Sequence, residues 1–415
     1  MFNKDNEIKE FWINLTQKIG ISDDEMKIVK EEDFFKRIGS NNDISVNIGE
    51  AYMAGEWISK DLAFFFRKLF GKPIDNIGEL LLTYFWENPI VCSNLLTTLL
   101  DKELKNNWNE ISSNNQSIDL SKNVGEQHYD IPDILYEYML DSNRQYTCGY
   151  WKPNTFDLEN AQKNKIQLII DKLQIPDNTP MNIVDIGCGW GGLTNAISER
   201  YPLCKITGIS ISKEQIKNAN IKYNKNPNLE YLFLDYRDLP KQDIKYDRIV
   251  SVGMFEHVGY KNYNTFFNVC NKILKSDGIC LLHTITKPLP DKYLFGSENY
   301  STDPWIDKYI FPGGYIPQME QVLSTSQSEY LMCHHVQNLS ISYAKTLQEW
   351  YKNFKQYWLI IQNSNPTFFT EKFYKMWEFY LMCSMVRFEV KQLQLTQFIL
   401  TKNEFPDMYI FTEQK

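Results

Sequence analysis

The chain carries no C-x-x-C pair among its eight cysteines, and its start, Met1-Phe2-Asn3-Lys4-Asp5-Asn6-Glu7, is polar and charged where a secretory leader would be apolar. Reduced thiols in a cytoplasmic protein are therefore expected. Long hydrophobic runs are missing too. The most apolar region, Leu80 to Leu100, is broken by Glu87, Asn88, Pro89 and Asn94, too costly a set for a membrane-spanning helix. An excess of basic charge is also absent, since 44 Lys and Arg stand against 52 Asp and Glu for a net charge of -8. That balance argues against a general nucleic-acid-binding surface, so any anionic partner must be met by a local site. There is no internal repeat, and the one biased tract, the Asn- and Ser-rich Lys105 to Val124, reads as a linker.

What is present is an ordinary globular composition, with 43% hydrophobic residues in a chain of 415, enough for two to three domains. Residues up to about Leu104 have a helical texture. A first domain of residues 1–124, ending in the linker, and a second of 125–415 are expected. In the second, helices are expected over His128–Leu140 and Leu158–Leu173, flanking the aromatic loop Tyr146-Thr147-Cys148-Gly149-Tyr150-Trp151. Strand-like runs at Ile183–Ile186, Ile206–Ile209, Leu229–Leu234, Ile249–Val252 and Ile279–His283 then alternate with helical stretches at Leu193–Arg200, Lys213–Tyr223 and Tyr263–Leu274. This alternation predicts an α/β fold with a parallel sheet covered on both faces. Ligands of such sheets bind at the carboxyl ends of the strands, which brings Gly187, Ser210, Asp235, Glu256 and His283 to one edge.

The centre of that edge is Ile183-Val184-Asp185-Ile186-Gly187-Cys188-Gly189-Trp190-Gly191-Gly192, a buried strand ending in a tight glycine turn. Gly187 and Gly189 allow close approach by a nucleoside cofactor. No acidic residue closes the second strand to hold a ribose. Ser210 and Gln215 are possible substitutes, although Ser210 serves equally as a helix N-cap. Asp235-Tyr236-Arg237-Asp238 offers an acceptor for an adenine amine beside an aromatic face, or a structural turn. The fourth strand leads into Phe255-Glu256-His257, and His283 closes the apolar fifth, a place where histidine is more often a satisfied core residue than a catalytic one.

Together these segments resemble the cyclopropane-fatty-acyl-phospholipid synthases. The resemblance runs through Ile48 to Trp57, His128-Tyr129-Asp130, Tyr146 to Trp151, the glycine turn, Asp235 to Asp238, Phe255-Glu256-His257, His283-Thr284-Ile285, Asp303 to Pro312, and Tyr343 ahead of Leu347. It implies a Rossmann-like class I methyltransferase fold, a mostly parallel seven-stranded sheet preceded by a small, mainly helical domain. It also implies S-adenosyl-L-methionine as methyl donor, an unsaturated acyl chain of a bilayer phospholipid as acceptor, and no metal. A bound bicarbonate ion takes the final proton in this family, and the resemblance assigns it to Cys148, Glu256, His283, Ile285 and Tyr343, with Cys148 and Ile285 serving through backbone groups. Tyr146, Thr147, Asp185, Gly187, Gly189, Gly191, Ser210, Gln215, Asp235, Tyr236 and Arg237 form the implied donor site. Peripheral membrane contact and a homodimer are further family-based expectations.

Three departures from the family pattern stand out: Ile131-Pro132-Asp133 after His128-Tyr129-Asp130, an insertion over Pro288 to Tyr300, and His334-His335-Val336-Gln337-Asn338 in place of a Trp-His-Asn. Phe64 to Lys72 joins aromatic residues to three cations, as an interfacial helix would, but aromatic clusters at helical spacing are more often core. The alternatives are a related small-amine N-methyltransferase, which needs no bicarbonate, and a catalytically silent lipid-binding protein.

Overall fold

A computed structural model describes residues 4–40, 43–71, 131–223, 226–288, 303–405 and 409–411. The expected linker, the Leu80–Leu100 stretch, His128-Tyr129-Asp130 and nearly all of the 288–300 insertion lie outside the described residues. Two compact units are present. The described residues of Met1–Asn114, Leu289–Pro312 and Leu359–Gln392 form one, and those of Asn115–Pro288, Gly313–Trp358 and Leu393–Lys415 form the other. The units thus interleave along the chain instead of following a single break.

The second unit is built on seven strands: β1 (Asn182–Ile186), β2 (Lys205–Ser210), β3 (Leu229–Phe233), β4 (Tyr246–Val252), β5 (Leu274–Thr286), β6 (Leu331–Asn338) and β7 (Gln394–Lys402). Their order is β3-β2-β1-β4-β5-β7-β6, parallel throughout except for β7, which runs antiparallel to both neighbours. This is the expected α/β fold. Its helices are α1 (Ile134–Met139), α2 (Leu158–Leu173), α3 (Gly192–Arg200), α4 (Lys213–Lys222), α5 (Tyr263–Ile273), α6 (Met319–Ser328) and, as far as Trp358, α7 (Ser340–Ser364).

Periodicity accounts for the two layers. In α2 the residues Ile166, Ile169, Ile170 and Leu173 recur at helical spacing and bury with Leu193 and Ile197 of α3 against Ile183, Val250 and Leu281 of the sheet. On the other face Phe266, Phe267 and Ile273 of α5 and Val322 of α6 pack on Val184, Ile249 and Leu282. Each such side chain contributes about 1.5–3 kcal/mol on full burial. Asp157 caps α2 by accepting from the Asn160 amide at 2.7 Å, and Gln174 ends it in the left-handed region at φ 45°.

The first unit is helical in its described part, with helices Lys4–Ile19, Glu31–Ile38, Ile44–Met53, Leu62–Phe70, Pro304–Tyr309 and Glu371–Glu389, and one antiparallel pair of two-residue strands, Lys27–Ile28 and Trp57–Ile58. The distant stretches Ile48–Trp57 and Asp303–Pro312 pack on each other here. Gly49 leaves room for the indole of Trp305, since a Cβ on it would lie 2.3 Å from the ring nitrogen. Glu50 accepts from Lys308 at 2.5 Å and from the Tyr309 hydroxyl at 2.6 Å. The aromatic helix resolves toward core: Phe65 and Phe66 are buried, Phe66 meets Phe379 at 5.0 Å, and Arg67 pairs with Glu389, while Phe64 alone of the three phenylalanines is exposed. Among the described residues no helix is long and apolar enough to cross a membrane.

Candidate active site

Three glycines of the β1 turn have positive φ, Gly187 at 89°, Gly189 at 55° and Gly191 at 83°, which side chains tolerate poorly. They differ in what surrounds them. A Cβ on Gly187 would meet Met254 at 2.6 Å and one on Gly191 would meet the Tyr231 hydroxyl at 2.5 Å, whereas Gly189 has nothing within 4 Å. Packing explains the first and third glycines, and Gly189 is the one that faces open space. Cys188 is buried among Ile216, Ala219 and Tyr231, a structural place.

Asp185 is buried within β1 and accepts from the Thr194 hydroxyl at 2.7 Å, while its second oxygen has no hydrogen-bond partner among the described residues. Burial raises its pKa to about 6. Beyond the end of β2, the Ser210 hydroxyl lies 3.1 Å from Gln215 Oε1, and Ser212, not Ser210, caps α4 by accepting from the Gln215 amide at 3.3 Å. Beyond β3, Asp235 accepts from Arg237 Nε at 2.8 Å and Nη2 at 2.6 Å, and from its backbone amide at 2.9 Å. The Tyr236 ring turns into the core, 5.4 Å from Phe266, with the Arg237 guanidinium 5.4 Å above it. Each of these donor-site candidates at the second and third strand ends therefore already has a protein partner.

At the fourth and fifth strands the picture reverses. Glu256 sits in a short 3-10 turn after β4, buried, with Oε1 accepting from the Ile285 amide at 2.7 Å and Oε2 without a partner among the described residues. The amide of Ile285 thus holds Glu256. Burial drives the pKa of this carboxyl up to about 7, against the opposing hydrogen bond from the Ile285 amide. His283 is 1% exposed, receives Gln397 at Nδ1 at 3.0 Å, and has no partner at Nε2 among the described residues. Burial first, then the charges of Lys165 and Lys172, hold its pKa well below the usual histidine range.

The aromatic loop completes this edge. Tyr146 meets Tyr136 at 5.2 Å and Trp350 at 5.1 Å, Tyr136 meets Trp190 at 4.8 Å, and the Tyr343 ring stands perpendicular to Trp350 at 6.1 Å. Cys148 is buried with its thiol donating to the Gly149 carbonyl at 3.1 Å, and burial raises its pKa far beyond thiolate chemistry. Thr147 accepts at 3.1 Å from Lys165, whose ammonium also donates to Gln145. Trp151 is pinned to α7 by its ring nitrogen, which donates to Thr346 at 3.0 Å.

Sequence reasoning missed three residues here. Lys165 and Lys172 are fully buried on α2, and burial lowers the Lys165 pKa to about 8. Their signal was available, since both fall on the apolar stripe with Leu168 and Ile169 rather than on a solvated face. Asp133, part of the unusual Ile131-Pro132-Asp133, accepts from Trp190 at 3.3 Å, Arg144 at 3.2 Å and Asn218, which ties three separate segments together.

Comparison with known proteins identifies the family. Residues 116–398 match the family described as mycolic acid cyclopropane synthetase. The chain is 36% identical over 374 residues, 90% of its length and 87% of the relative's, to a cyclopropane-fatty-acyl-phospholipid synthase of Escherichia coli (strain K12). Among solved structures, the cyclopropane synthase MmaA2 from Mycobacterium tuberculosis superposes with a TM-score of 0.61 at 28% identity, covering 68% of this chain and 98% of that one. The mycolic acid cyclopropane synthase CmaA1, in complex with SAH and CTAB, gives 0.60 at 28% identity with the same coverage. This chain belongs to the mycolic acid cyclopropane synthetase family of S-adenosylmethionine-dependent methyltransferases.

Proposed function

We propose that this protein is a cyclopropane-fatty-acyl-phospholipid synthase that adds a methylene from S-adenosyl-L-methionine across the cis double bond of an acyl chain in a phospholipid. The observation that carries this reading is the match of 90% of the chain to an enzyme of that name, well beyond the methyltransferase sheet alone. S-adenosyl-L-methionine supplies a methyl group on a sulfonium and needs no metal. The chain's part is to align a weakly nucleophilic alkene and exclude water. Gly189 gives the donor its approach, Ser210 and Gln215 meet the ribose, and Asp235 meets the adenine amine. Tyr146, Trp350 and Tyr343 present aromatic faces that favour positive charge, first on the sulfonium and then on the acyl chain as the methyl transfers.

A proton must then leave the transferred methyl for the ring to close. Held by Glu256, His283 and Tyr343 at the edge of β4 and β5, a bicarbonate ion would supply the base for that step. The residues fit such an ion, because Glu256 Oε2 and His283 Nε2 are buried polar atoms lacking a partner among the described residues, each a costly state that a ligand would relieve. Glu256 would accept a hydrogen bond from the ion's hydroxyl, and His283 and Tyr343 would donate to its oxygens. Ile285 contributes by fixing Glu256, and Cys148 by the backbone of its loop. The lipid stays in its bilayer, so the reading includes a peripheral membrane contact of a cytoplasmic enzyme; a homodimer rests on the family resemblance.

The test is mass spectrometry of unsaturated phospholipid vesicles incubated with the purified protein and methyl-labelled S-adenosyl-L-methionine. A labelled gain of one methylene that resists hydrogenation is expected. A reducible or branched product would keep the donor and overturn ring closure, and labelling of small amines alone would favour the N-methyltransferase.

A further inference from the structure

A line of three buried side chains ends on His283 and fixes which of its nitrogens carries the proton. In the sheet, His283 of β5 is paired with Gln397 of β7, and Gln397 with Gln337 of β6, so the three form one cross-strand row. Lys172 in the last turn of α2 covers that row. Its ammonium donates to Gln397 Oε1 at 2.7 Å and to Gln337 Oε1 at 2.5 Å. Gln397 in turn presents Nε2 to His283 Nδ1 at 3.0 Å. Lys172 and Gln397 are both 0% exposed, so water does not compete for the contacts from Lys172 to Gln397 and from Gln397 to His283.

Donor and acceptor rules leave one assignment. An ammonium only donates, so the amide oxygen of Gln397 faces Lys172 and its nitrogen faces the ring. An amide nitrogen also only donates, so Nδ1 accepts and bears no proton. A neutral imidazole with a bare Nδ1 carries its hydrogen on Nε2. Burial and the nearby ammonium groups favour the neutral ring.

We propose that Lys172 and Gln397 are positioning residues that lock His283 in its Nε2–H tautomer, so that it offers the anion site a single donor and no acceptor. The anion's part in this rests on the reading under "Proposed function"; the lock itself does not. Two residues further along β5, the Ile285 amide turns Glu256 the opposite way chemically, as an acceptor with Oε2 unfilled. At the ends of neighbouring strands the site thereby has one fixed donor and, with Glu256 ionised, one acceptor, a match for a small oxyanion that carries both an acceptor oxygen and a hydroxyl. In this tautomer the ring's lone pair is on Nδ1 and is taken by Gln397, so Nε2 has none for the methyl proton and His283 holds an anion without acting as the base.

The experiment is nitrogen NMR of the full-length protein labelled at the histidine imidazoles, with His283 assigned by loss of its signals in His283→Gln. In the unmodified protein a pyrrole-type Nε2 and a pyridine-type Nδ1 are expected. A protonated Nδ1 or an even mixture of tautomers would overturn the proposal. Gln397→Met and Lys172→Met should each release the lock, with Nδ1–H signal appearing and the apparent KM for bicarbonate rising about tenfold, the scale of one hydrogen bond to a charged group, while the KM for S-adenosyl-L-methionine stays unchanged. A pure Nε2–H tautomer in both folded variants would overturn the assignment of the lock to these residues. A lock present and released as described, with turnover indifferent to bicarbonate, would uphold the lock and overturn the anion it is proposed to serve.

Discussion

The two halves of the ligand edge differ in how their polar groups stand before any ligand arrives. At the ends of β2 and β3, Ser210 engages Gln215 and Asp235 is clasped by Arg237. At β4 and β5, Glu256 Oε2 and His283 Nε2 are buried and lack a partner among the described residues. The first half is satisfied by itself and can bind a nucleoside by shape with modest further hydrogen bonding. The second carries the cost of unmet polar groups, which a bound ion would remove. Specific chemistry is therefore expected to depend steeply on the second half and shallowly on the first.

The comparison breaks most visibly at Glu256. Glu256→Gln should fold and lose about a hundred-fold or more in turnover, as for a positioned proton-handling group; near-normal turnover in a labelled-donor assay would remove that role. The pH profile sharpens this. Because burial places the folded pKa of Glu256 at about 7, above its ordinary value of 4.5, the charged carboxylate destabilises the fold fully above pH 7, and the penalty is relieved progressively as pH falls from there to 4.5. Activity follows the opposite course, falling as pH drops below about 7 while the acceptor is protonated. Relative to the unmodified protein, Glu256→Gln should gain thermal stability above that pH and lose the gain below it, and a melting-temperature difference flat in pH would contradict the assignment.

Next in size is His283→Ala, which removes the donor but leaves a space, so added bicarbonate should restore part of its turnover. No response at any bicarbonate concentration would count against an anion-holding role. On the satisfied half, Gly189→Ala adds a methyl where the protein leaves open space, so it tests the approach of the donor itself. Its KM for S-adenosyl-L-methionine should rise about tenfold, although the positive φ adds about 1 kcal/mol of strain that a melting curve would register separately. Ser210→Ala should show the smallest change, a few-fold in the same KM, the scale of one neutral hydrogen bond.

These contrasts explain what the sequence made legible. The runs from Ile183 to His283 alternate cleanly because parallel strands and their covering helices bury continuous apolar stretches, so strands β1 to β5 and their ligand ends could be read directly. Strands β6 and β7 could not, since His334, His335, Gln337, Gln394, Thr396 and Gln397 give them a polar texture whose meaning lies in cross-strand pairing. His334 is an example, its Nε2 lying 2.8 Å from the Thr401 hydroxyl across the ladder. The same applies to the site. Glu256 and His283 were visible by position, but that Ile285 holds Glu256, and that Lys172 reaches His283 through Gln397, depends on partners 29 to 225 residues apart in the chain. Tyr236 shows another limit of local reading, an aromatic residue beside a polar turn whose ring packs on Phe266.

The unfilled half of the edge is proposed as a bicarbonate site. The most direct measurement titrates carbon-13-labelled bicarbonate into donor-saturated protein in carbon-dioxide-stripped buffer, following binding by NMR and cyclopropane formation in parallel. Saturable binding of one ion per chain, lost in the Glu256→Gln, His283→Ala double variant and tracking turnover, is predicted. Full turnover in the stripped buffer, or binding unaffected by the double variant, would contradict it.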